Sequence, residues 1–502
     1  MMKILLIQAL KNLHEPSGHM RTCYLEPIGL EYIASSLEAS GHVVRIEYGA
    51  ITLGHFLQSI DAFSPDMIGY SVYTYTYDIS LEFSKAAKKM TPQIVNVFGG
   101  YHPTVLPEIA LEPSIDYVVI GEGENTFLEL VTAIDNGDPV VSVKGIAYSD
   151  GDRLTVNERR PRIVDLDSLP CPKRTFDMLC KTRQYQIAFP PPSKQQSVAQ
   201  VSFSRGCPYN CDFCSSKSVW GLDVVWRDPI KVVDEIEHLY ENYNTNLVYF
   251  PDLTFNANRA QVRAICTEFI KRDLPVYWWG LFRVDNINNE MLHQLKEAKC
   301  VKLSFGIEST KKSTIETIKG KPNYDWERAS ATIKEASNLG MIVKAFLMIG
   351  LPDDTRSELE SLGRQIEESD IDEVRVSFCT PFPGTLFYQR CLNNNLILTK
   401  DFSKFTTEWP LLKNAEMNVD EMVFLRNEIV ANFYCSKRYQ QNKLTKINKF
   451  PFLASSWIEY FEFLRSKNIF TFQQAINIDS FIQTIGNEAS KREVNYESRV
   501  YV

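Results

Sequence analysis

Short apolar runs separated by amphipathic stretches recur along most of this 502-residue chain, in two trains divided by a proline-rich interval. Unbroken apolar runs suit strands buried on both faces, and stretches with a 3.6-residue period suit the helices that cover them. The first train has runs at 3–8, 43–46, 67–71, 94–98 and 117–120, with amphipathic stretches at 29–39, 79–89 and 125–134. This pattern predicts a doubly wound α/β domain with a parallel sheet over residues 1–138. Residues 139–196 read as a linker. A small hairpin at 140–148 and 153–156 turns at Ser149-Asp150-Gly151-Asp152, and Leu169-Pro170-Cys171-Pro172 and Phe189-Pro190-Pro191-Pro192 follow without periodicity.

The second train has runs at 198–203, 247–250, 276–281, 301–305, 342–348 and 373–378. Helical stretches lie at 229–240, 259–271, 288–296, 324–337 and 355–368. Six strand–helix units do not close an eight-fold barrel, so a partial, open (β/α)6 barrel is predicted over 197–395. Residues 396–502 are rich in aromatics and helix formers at 402–438 and 457–482, around a Lys/Asn-rich break at 440–449. They are expected to form a mostly helical cap with a frayed polar tail from Ala489. Trp409, Phe433, Tyr434, Trp457, Tyr460 and Phe461 in this cap are candidates either for core or for a substrate pocket.

Sheets of this kind bind ligands beyond the carboxyl ends of their strands. In the first train those ends carry Ser71, Tyr73, Thr74, Tyr75 and Tyr77, then Gly99, Gly100, Tyr101 and His102, then Gly121, Glu122, Gly123 and Glu124. Each loop alone reads as an ordinary turn. Three in succession, with glycines that let backbone approach a ligand, read as a crevice. In the second train Cys207, Cys211 and Cys214 fall in one loop after the first strand. Three soft thiolates are ligands for zinc or for iron–sulfur. Structural zinc takes four protein ligands, and the flanking cysteines are as distant as Cys180 and Cys266, with His238 the next histidine downstream. Three thiolates suit a 4Fe-4S cluster that leaves one iron open.

The remaining cysteines (Cys23, Cys171, Cys180, Cys266, Cys300, Cys379, Cys391, Cys435) bring the number to 11, odd and scattered. They do not form a disulfide framework, and a reduced, cytoplasmic compartment is expected. The formal net charge of -8 argues against general nucleic-acid binding. No apolar run approaches the roughly 18–20 residues of a membrane span. The opening MMKILLIQAL reads as a buried strand rather than a signal peptide.

The CxxxCxxC spacing, with Phe213 before the third cysteine, resembles the radical S-adenosylmethionine superfamily. The resemblance implies that Cys207, Cys211 and Cys214 hold a 4Fe-4S cluster whose open iron binds the amino and carboxylate groups of S-adenosylmethionine. Reductive cleavage there gives a 5′-deoxyadenosyl radical that takes hydrogen from an unactivated carbon. The later strand ends are similar to the superfamily's in order: Pro251-Asp252-Leu253-Thr254-Phe255, Arg283 with Asp285, Gly306-Ile307-Glu308-Ser309, Gly350-Leu351-Pro352 and Pro381-Phe382-Pro383-Gly384-Thr385. They imply S-adenosylmethionine contacts from Phe213, Asp252, Arg283, Glu308, Ser309 and Gly350, through backbone to the methionine amino group at the Asp252 segment and with Arg283 pairing the methionine carboxylate. Read without the resemblance, Arg283 is equally a surface ion pair, Glu308 a solvated carboxylate and the proline loops turns.

A second resemblance covers the first train. Pro27-Ile28-Gly29-Leu30, Gly41-His42-Val43-Val44, Gly99-Gly100-Tyr101-His102-Pro103-Thr104, Pro107-Glu108 and the stretch 116–124 look like the Rossmann-like cobalamin-binding domain fused to radical S-adenosylmethionine methylases and cyclases. It implies cobalamin contacts from Ser71, Tyr73, Thr74, Tyr75, Gly99, Gly100, His102, Gly121 and Glu122. The DxHxxG signature that supplies a histidine to cobalt is absent, and the residue under the metal stays unassigned, as does any general base. Together the resemblances cover about residues 1–390. They imply a cobalamin-dependent enzyme that methylates an unactivated carbon of a small molecule, a secondary metabolite for instance, with an external flavodoxin- or ferredoxin-like electron donor. The two cofactor faces are expected to share one cavity. The alternatives are a cyclase or rearrangement enzyme without methyl transfer, a radical enzyme whose first domain binds something else, and a non-catalytic corrinoid or metal sensor.

Overall fold

A computed structural model describes residues 1–10, 26–175, 179, 197–320, 324–449, 454–465 and 470–496. Cys23, Cys180 and the 189–192 proline run lie outside the described residues.

The first domain is built on β1 (Lys3–Ala9), β2 (Val43–Gly49), β3 (Met67–Ser71), β4 (Val95–Gly99) and β5 (Tyr117–Val119), all parallel. Its sheet order is β2-β1-β3-β4-β5, so the winding reverses between β1 and β3. Six of the seven β1 residues are buried because helices cover both faces. Ile4 and Leu6 point to one core, with Leu30, Leu37, Phe127 and Leu130 of helices Ile28–Ala39 and Gly123–Asn136. Leu5 and Ile7 point to the other, with Phe56, Ile60 and Phe83 of helices Leu53–Phe63 and Tyr77–Met90. This is the two-residue alternation of a strand, expressed as two apolar layers. Helix Leu53–Phe63 was absent from the sequence expectation. Thr52 starts it by accepting from the His55 N–H at 3.2 Å.

The hairpin expected inside the linker belongs to this sheet. β6 (Ile146–Asp150) pairs antiparallel with β5, and β7 (Arg153–Val156) pairs antiparallel with β6. The first sheet therefore runs past residue 138 and ends at Val156, because β5 needed a partner on its open edge.

The second sheet holds six parallel strands in the order β15-β14-β13-β12-β11-β8. They are β8 (Ser197–Gln200), β11 (Thr245–Phe250), β12 (Tyr277–Phe282), β13 (Cys300–Glu308), β14 (Ile342–Ile349) and β15 (Glu373–Phe378). The sheet stays open, with β8 and β15 as its edges, as six units require. A small ribbon, β9 (Ser204–Arg205) against β10 (Val225–Trp226), brackets the cysteine loop. Helices Ser216–Trp220, Lys312–Lys319 and Leu386–Asn393 add to the five foreseen.

The cap is helical, but not as the sequence implied. The supposed break is itself a helix, Lys437–Lys449. It packs Tyr439 and Ile447 into the barrel core, Lys443 and Lys446 both reach the buried carboxylate of Asp372, Lys446 at 2.5 Å, and Lys446 also donates to the Met341 carbonyl at 2.6 Å. Asp372 and Met341 immediately precede β15 and β14, so this helix covers the amino ends of the strands. Phe433, Tyr434, Trp457 and Phe461 are core residues continuous with the barrel's apolar interior. They are not on the wall of the large cavity between the two sheets. Trp409 is partly exposed outside the large cavity, and the Tyr460 side chain lies outside the described ones. Helix Phe472–Tyr496 carries past Ala489.

Candidate functional site

The cysteine loop is fastened at every turn. Gly206 opens it at φ +110°, where a Cβ would stand 2.2 Å from the Asp223 carbonyl oxygen, so a side chain cannot be accommodated. Asp252, 2% exposed, accepts from the Phe203 N–H at 3.1 Å and the Ser204 hydroxyl at 2.5 Å. Burial pushes its carboxyl up to about 6, against the pull of those hydrogen bonds. The Asp212 N–H donates to Ile318 O at 3.0 Å, its carbonyl accepts from Phe387 N at 3.2 Å, and its carboxylate meets Arg390 at 2.9 Å. Phe213 packs on the cluster containing Ile315, Ile318 and Phe387.

Cys207, Cys211 and Cys214 are half-buried and free of disulfides. Cys207 Sγ lies 3.4 Å from Thr254 Oγ1, Cys214 Sγ 3.1 Å from Ser216 Oγ and Cys211 Sγ 4.0 Å from Arg283 Nη1. Burial raises the Cys211 thiol, while Lys319 and Arg283 oppose it. Among the described residues no three His, Cys, Asp or Glu side chains gather as they do around a single ion. Each thiolate of a cubane cluster ligates a different iron, so it does not need that convergence. Three free soft thiols beside two cations fit an anionic iron–sulfur cluster.

The other strand ends surround this loop. Arg283 follows β12. Its guanidinium stacks 3.9 Å from the Tyr209 ring and bonds Asp285 at 3.1 and 3.4 Å. It is thus both an ion pair and a neighbour of Cys211. Glu308 ends β13 at φ +63°, left-handed backbone for a non-glycine, at a shift in the β13–β14 register. Its Oε1 is 3.3 Å from Lys319 Nζ, so the carboxylate is paired rather than solvated. Ser309 accepts from the Lys311 N–H at 3.1 Å. Gly350 turns at φ +81°, with the Phe378 ring 3.2 Å from where a Cβ would stand. The Asp252 side chain faces inward to Phe203 and Ser204, which leaves this segment only its backbone to offer a ligand, and its neighbours Pro251 and Leu253 line the open space.

That space is a cavity of about 750 Å³ between the two sheets. Ser71, Tyr73, Thr74, Tyr75, Gly99, Gly100, Gly121 and Glu122 line it from the first domain; Cys214, Ser215, Trp220 and Pro251 line it from the second. Gly100, at φ +99°, brings backbone to the wall, where a Cβ would press the Val72 backbone at 3.0 Å. The Tyr73 and Tyr75 rings stack 6.0 Å apart. Flat aromatic surface and side-chain-free strand ends fit a large planar cofactor such as a corrin.

One of the proposed corrin contacts, His102, is corrected, and Glu122 lines the cavity with its carboxylate already engaged. His102 lies outside the cavity wall, fully buried, with its ring 4.7 Å from Tyr77 and 4.8 Å from Phe402 and its Nδ1 3.4 Å from Thr74 Oγ1. Burial lowers its pKa to about 4, so it is neutral. The Glu122 carboxylate bonds Arg205 at 2.9 Å and the Ile163 N–H at 2.8 Å, and Glu124 takes the other guanidinium nitrogen at 2.6 Å. These carboxylates join the two domains across Arg205. Tyr101 adds a second tie, donating to the Pro383 carbonyl.

Sequence reasoning missed Arg375, Phe405, Thr406 and Thr407, which also line the cavity. One signal was present: an arginine inside the apolar run EVRVSF has to face something polar.

Residues 21–131 match the B12 binding domain family and residues 201–366 the Radical SAM superfamily. An uncharacterized methyltransferase of Pyrococcus horikoshii is 31% identical over 413 residues, covering 81% of this chain and 87% of that protein. The chain belongs to the cobalamin-dependent radical S-adenosylmethionine enzymes. As a member of this family it uses a 4Fe-4S cluster, S-adenosylmethionine and cobalamin. Another relative of this cobalamin-dependent radical enzyme is an anaerobic magnesium-protoporphyrin IX monomethyl ester cyclase of Rubrivivax gelatinosus. It is 29% identical over 432 residues, with 84% of this chain and 76% of the cyclase covered. The radical S-adenosylmethionine methyltransferase TsrM of Kitasatospora setae, solved with cobalamin and a [4Fe-4S] cluster, shares the fold. Its TM-score is 0.64 at 17% identity, with 78% of each chain covered. Among the described residues no helix is long and apolar enough to cross a membrane.

Proposed function

We propose that this enzyme transfers a methyl group to an unactivated carbon of a small molecule held between its two sheets. The observation that supports this reading is the single cavity whose wall includes both Cys214 and the strand ends at Ser71, Tyr73 and Tyr75. When bound, the cluster, S-adenosylmethionine and cobalamin supply a carbon-centred oxidant and a methyl group.

The chain's own residues bind, orient and exclude water. Cys207, Cys211 and Cys214 hold the cluster. Phe213 packs into the apolar cluster beneath the loop and so orients Cys211 and Cys214. Arg283, steadied by Asp285 and Tyr209, offers Nη1 to the methionine carboxylate beside Cys211. The strained backbone at Glu308 presents Ser309 and the β13 end, and Gly350 lets a flat group approach β14. Ser71, Tyr73, Thr74, Tyr75, Gly99, Gly100 and Gly121 hold the corrin. Asp252, Glu122 and His102 are positioning residues. The apolar walls keep water from a reactive carbon centre. An external flavodoxin- or ferredoxin-like protein supplies electrons, nucleic acid is not a partner, and the free thiols suit a reducing cytoplasm.

The cyclase relative supports a second reading, ring formation or rearrangement without methyl transfer. One experiment separates them. The protein is reconstituted anaerobically with iron, sulfide and hydroxocobalamin, desalted, then incubated with reductant, methyl-labelled S-adenosylmethionine and a small-molecule extract. The expected result is retained corrin absorbance, 5′-deoxyadenosine and a labelled product by mass spectrometry. Product without label favours the cyclase reading. Loss of corrin absorbance on desalting rejects both.

A further inference from the structure

A long side chain is placed only as well as the backbone that carries it. Arg283 sits where β12 ends and the turn Val284–Asn286 begins. The ladder between β12 and β13 stops one residue earlier, at Phe282 opposite Phe305. One side chain takes the ladder's place. Asn256, 0% exposed, accepts from the Arg283 N–H at 2.9 Å through Oδ1. Its Nδ2 donates to the Arg283 carbonyl at 2.9 Å and to the Asn286 carbonyl at 3.1 Å. The Asn286 side-chain amide donates in return to the Asn256 carbonyl. An amide that meets both backbone groups of one residue supplies the rung that a neighbouring strand would have supplied.

Asn256 belongs to the segment after β11, and alternate residues of that segment tie down the cluster site. Asp252 accepts from the Phe203 N–H and the Ser204 hydroxyl, just before the cysteine loop. Thr254 Oγ1 lies 3.4 Å from Cys207 Sγ. Asn256 then holds Arg283, whose Nη1 is 4.0 Å from Cys211 Sγ. All three are buried, and the Phe255 N–H between the last two donates to the Leu281 carbonyl of β12 at 2.8 Å. One fastened stretch of five residues thus touches the base of the cysteine loop, one thiol and the arginine beside another.

We propose that Asn256 is a positioning residue for S-adenosylmethionine, setting the Arg283 backbone so that the guanidinium meets the methionine carboxylate beside the cluster. This rests on the reading that Arg283 binds that carboxylate. Asn256 is sealed from solvent and does not reach the ligand, so it acts through Arg283. A guanidinium and a carboxylate pair with defined geometry, and a displaced fork loses part of the pairing while keeping its charge.

The test uses the full chain, reconstituted with cluster and corrin, with iron content measured on every preparation. Anaerobic equilibrium dialysis compares S-adenosylmethionine with its decarboxylated analogue, which lacks only the group that Arg283 holds. Asn256→Ala and Arg283→Met should each weaken S-adenosylmethionine binding about tenfold, the scale of one hydrogen bond to a charged group, and leave the analogue within about twofold of the wild type. Adding Asn256→Ala to Arg283→Met should weaken binding by no more than about twofold further, because both act through one contact. Asn256→Thr keeps most of the bulk but cannot meet both Arg283 backbone groups and the Asn286 carbonyl. It should behave as Asn256→Ala does, and it is read in its place if the alanine variant does not fold. Equal loss of both ligands, or the same loss with and without Arg283, makes Asn256 a general structural residue and overturns the proposal. Failure of both Asn256 variants to fold or to hold iron overturns it in the same way. Unchanged S-adenosylmethionine binding in Asn256→Ala beside a loss in Arg283→Met overturns the proposal and leaves the role of Arg283 standing. Unchanged binding in Arg283→Met removes that role, and the proposal with it.

Discussion

Cys211 and His102 show how little a residue's identity says without its surroundings. Both are reactive types, and burial acts on both. Around Cys211 two cations oppose the burial and suit a thiolate ligand. Replacing any one of Cys207, Cys211 and Cys214 by Ala should abolish the broad cluster absorbance near 400 nm and 5′-deoxyadenosine formation, with the thermal unfolding midpoint of unreconstituted protein little changed. Around His102 nothing opposes it, and the ring stays neutral down to about pH 4. An unfolded histidine titrates near 6.5. The unfolded chain therefore binds the extra proton first, and this contribution is complete above about pH 6.5 and lost as pH falls toward 4. Urea unfolding should show His102→Phe gaining about 2 kcal/mol relative to the wild type between pH 7 and pH 5. The variant should still retain corrin, because His102 lies off the cavity wall.

At the scale of elements, short polar contacts decide what apolar pattern leaves open. The strand runs were legible because burial on both faces demands unbroken apolar sequence. The helix Lys437–Lys449 was not, because its few apolar residues, Tyr439, Leu444 and Ile447, are interspersed with lysines whose buried partner, Asp372, is distant in sequence. Asp372 neutralises Lys443 and Lys446 in the interior, and both lysines hold its carboxyl below the usual range despite its burial. Asp372→Ala removes the carboxylate that two buried ammonium groups share. It should cost about 3–5 kcal/mol in denaturant unfolding. The triple change Asp372→Leu, Lys443→Met, Lys446→Met should recover most of that loss, since apolar groups of similar volume replace the whole cluster.

At the scale of the molecule, the two domains are clamped by buried charge. Arg205 joins Glu122 and Glu124 on the cavity side, stacked between Tyr32 at 5.2 Å and Trp220 at 5.6 Å. Arg174 bonds Glu235 of the barrel at 3.0 Å and faces Glu31 at 3.8 Å and Glu26 at 3.9 Å. Burial raises the Glu26 and Glu31 carboxyls. These clamps help to hold the two walls of the cavity together. Arg205→Ala should strand two carboxylates and weaken hydroxocobalamin binding by about tenfold or more, and small-angle scattering should show the domains parting. Adding Glu122→Gln and Glu124→Gln should restore part of the affinity by removing the stranded charge.

The sequence by itself determined the two parallel sheets, the open barrel and the thiol loop. Apolar period and cysteine spacing are local, and Cys207, Cys211 and Cys214 lie within one loop. It also put Ser71, Tyr73, Gly99 and Gly121 at strand ends. Tertiary structure alone decided which of those ends meet. It turned Asp252 inward to Ser204, tied the cavity-lining Glu122 to Arg205, buried His102 behind Phe402, and sent the cap's aromatics to the amino ends of the strands. It brought Arg375 and Thr407, 32 residues apart along the chain, to the cavity edge. A side chain's direction depends on partners far away in sequence, and no local pattern encodes a buried charge finding its counter-charge.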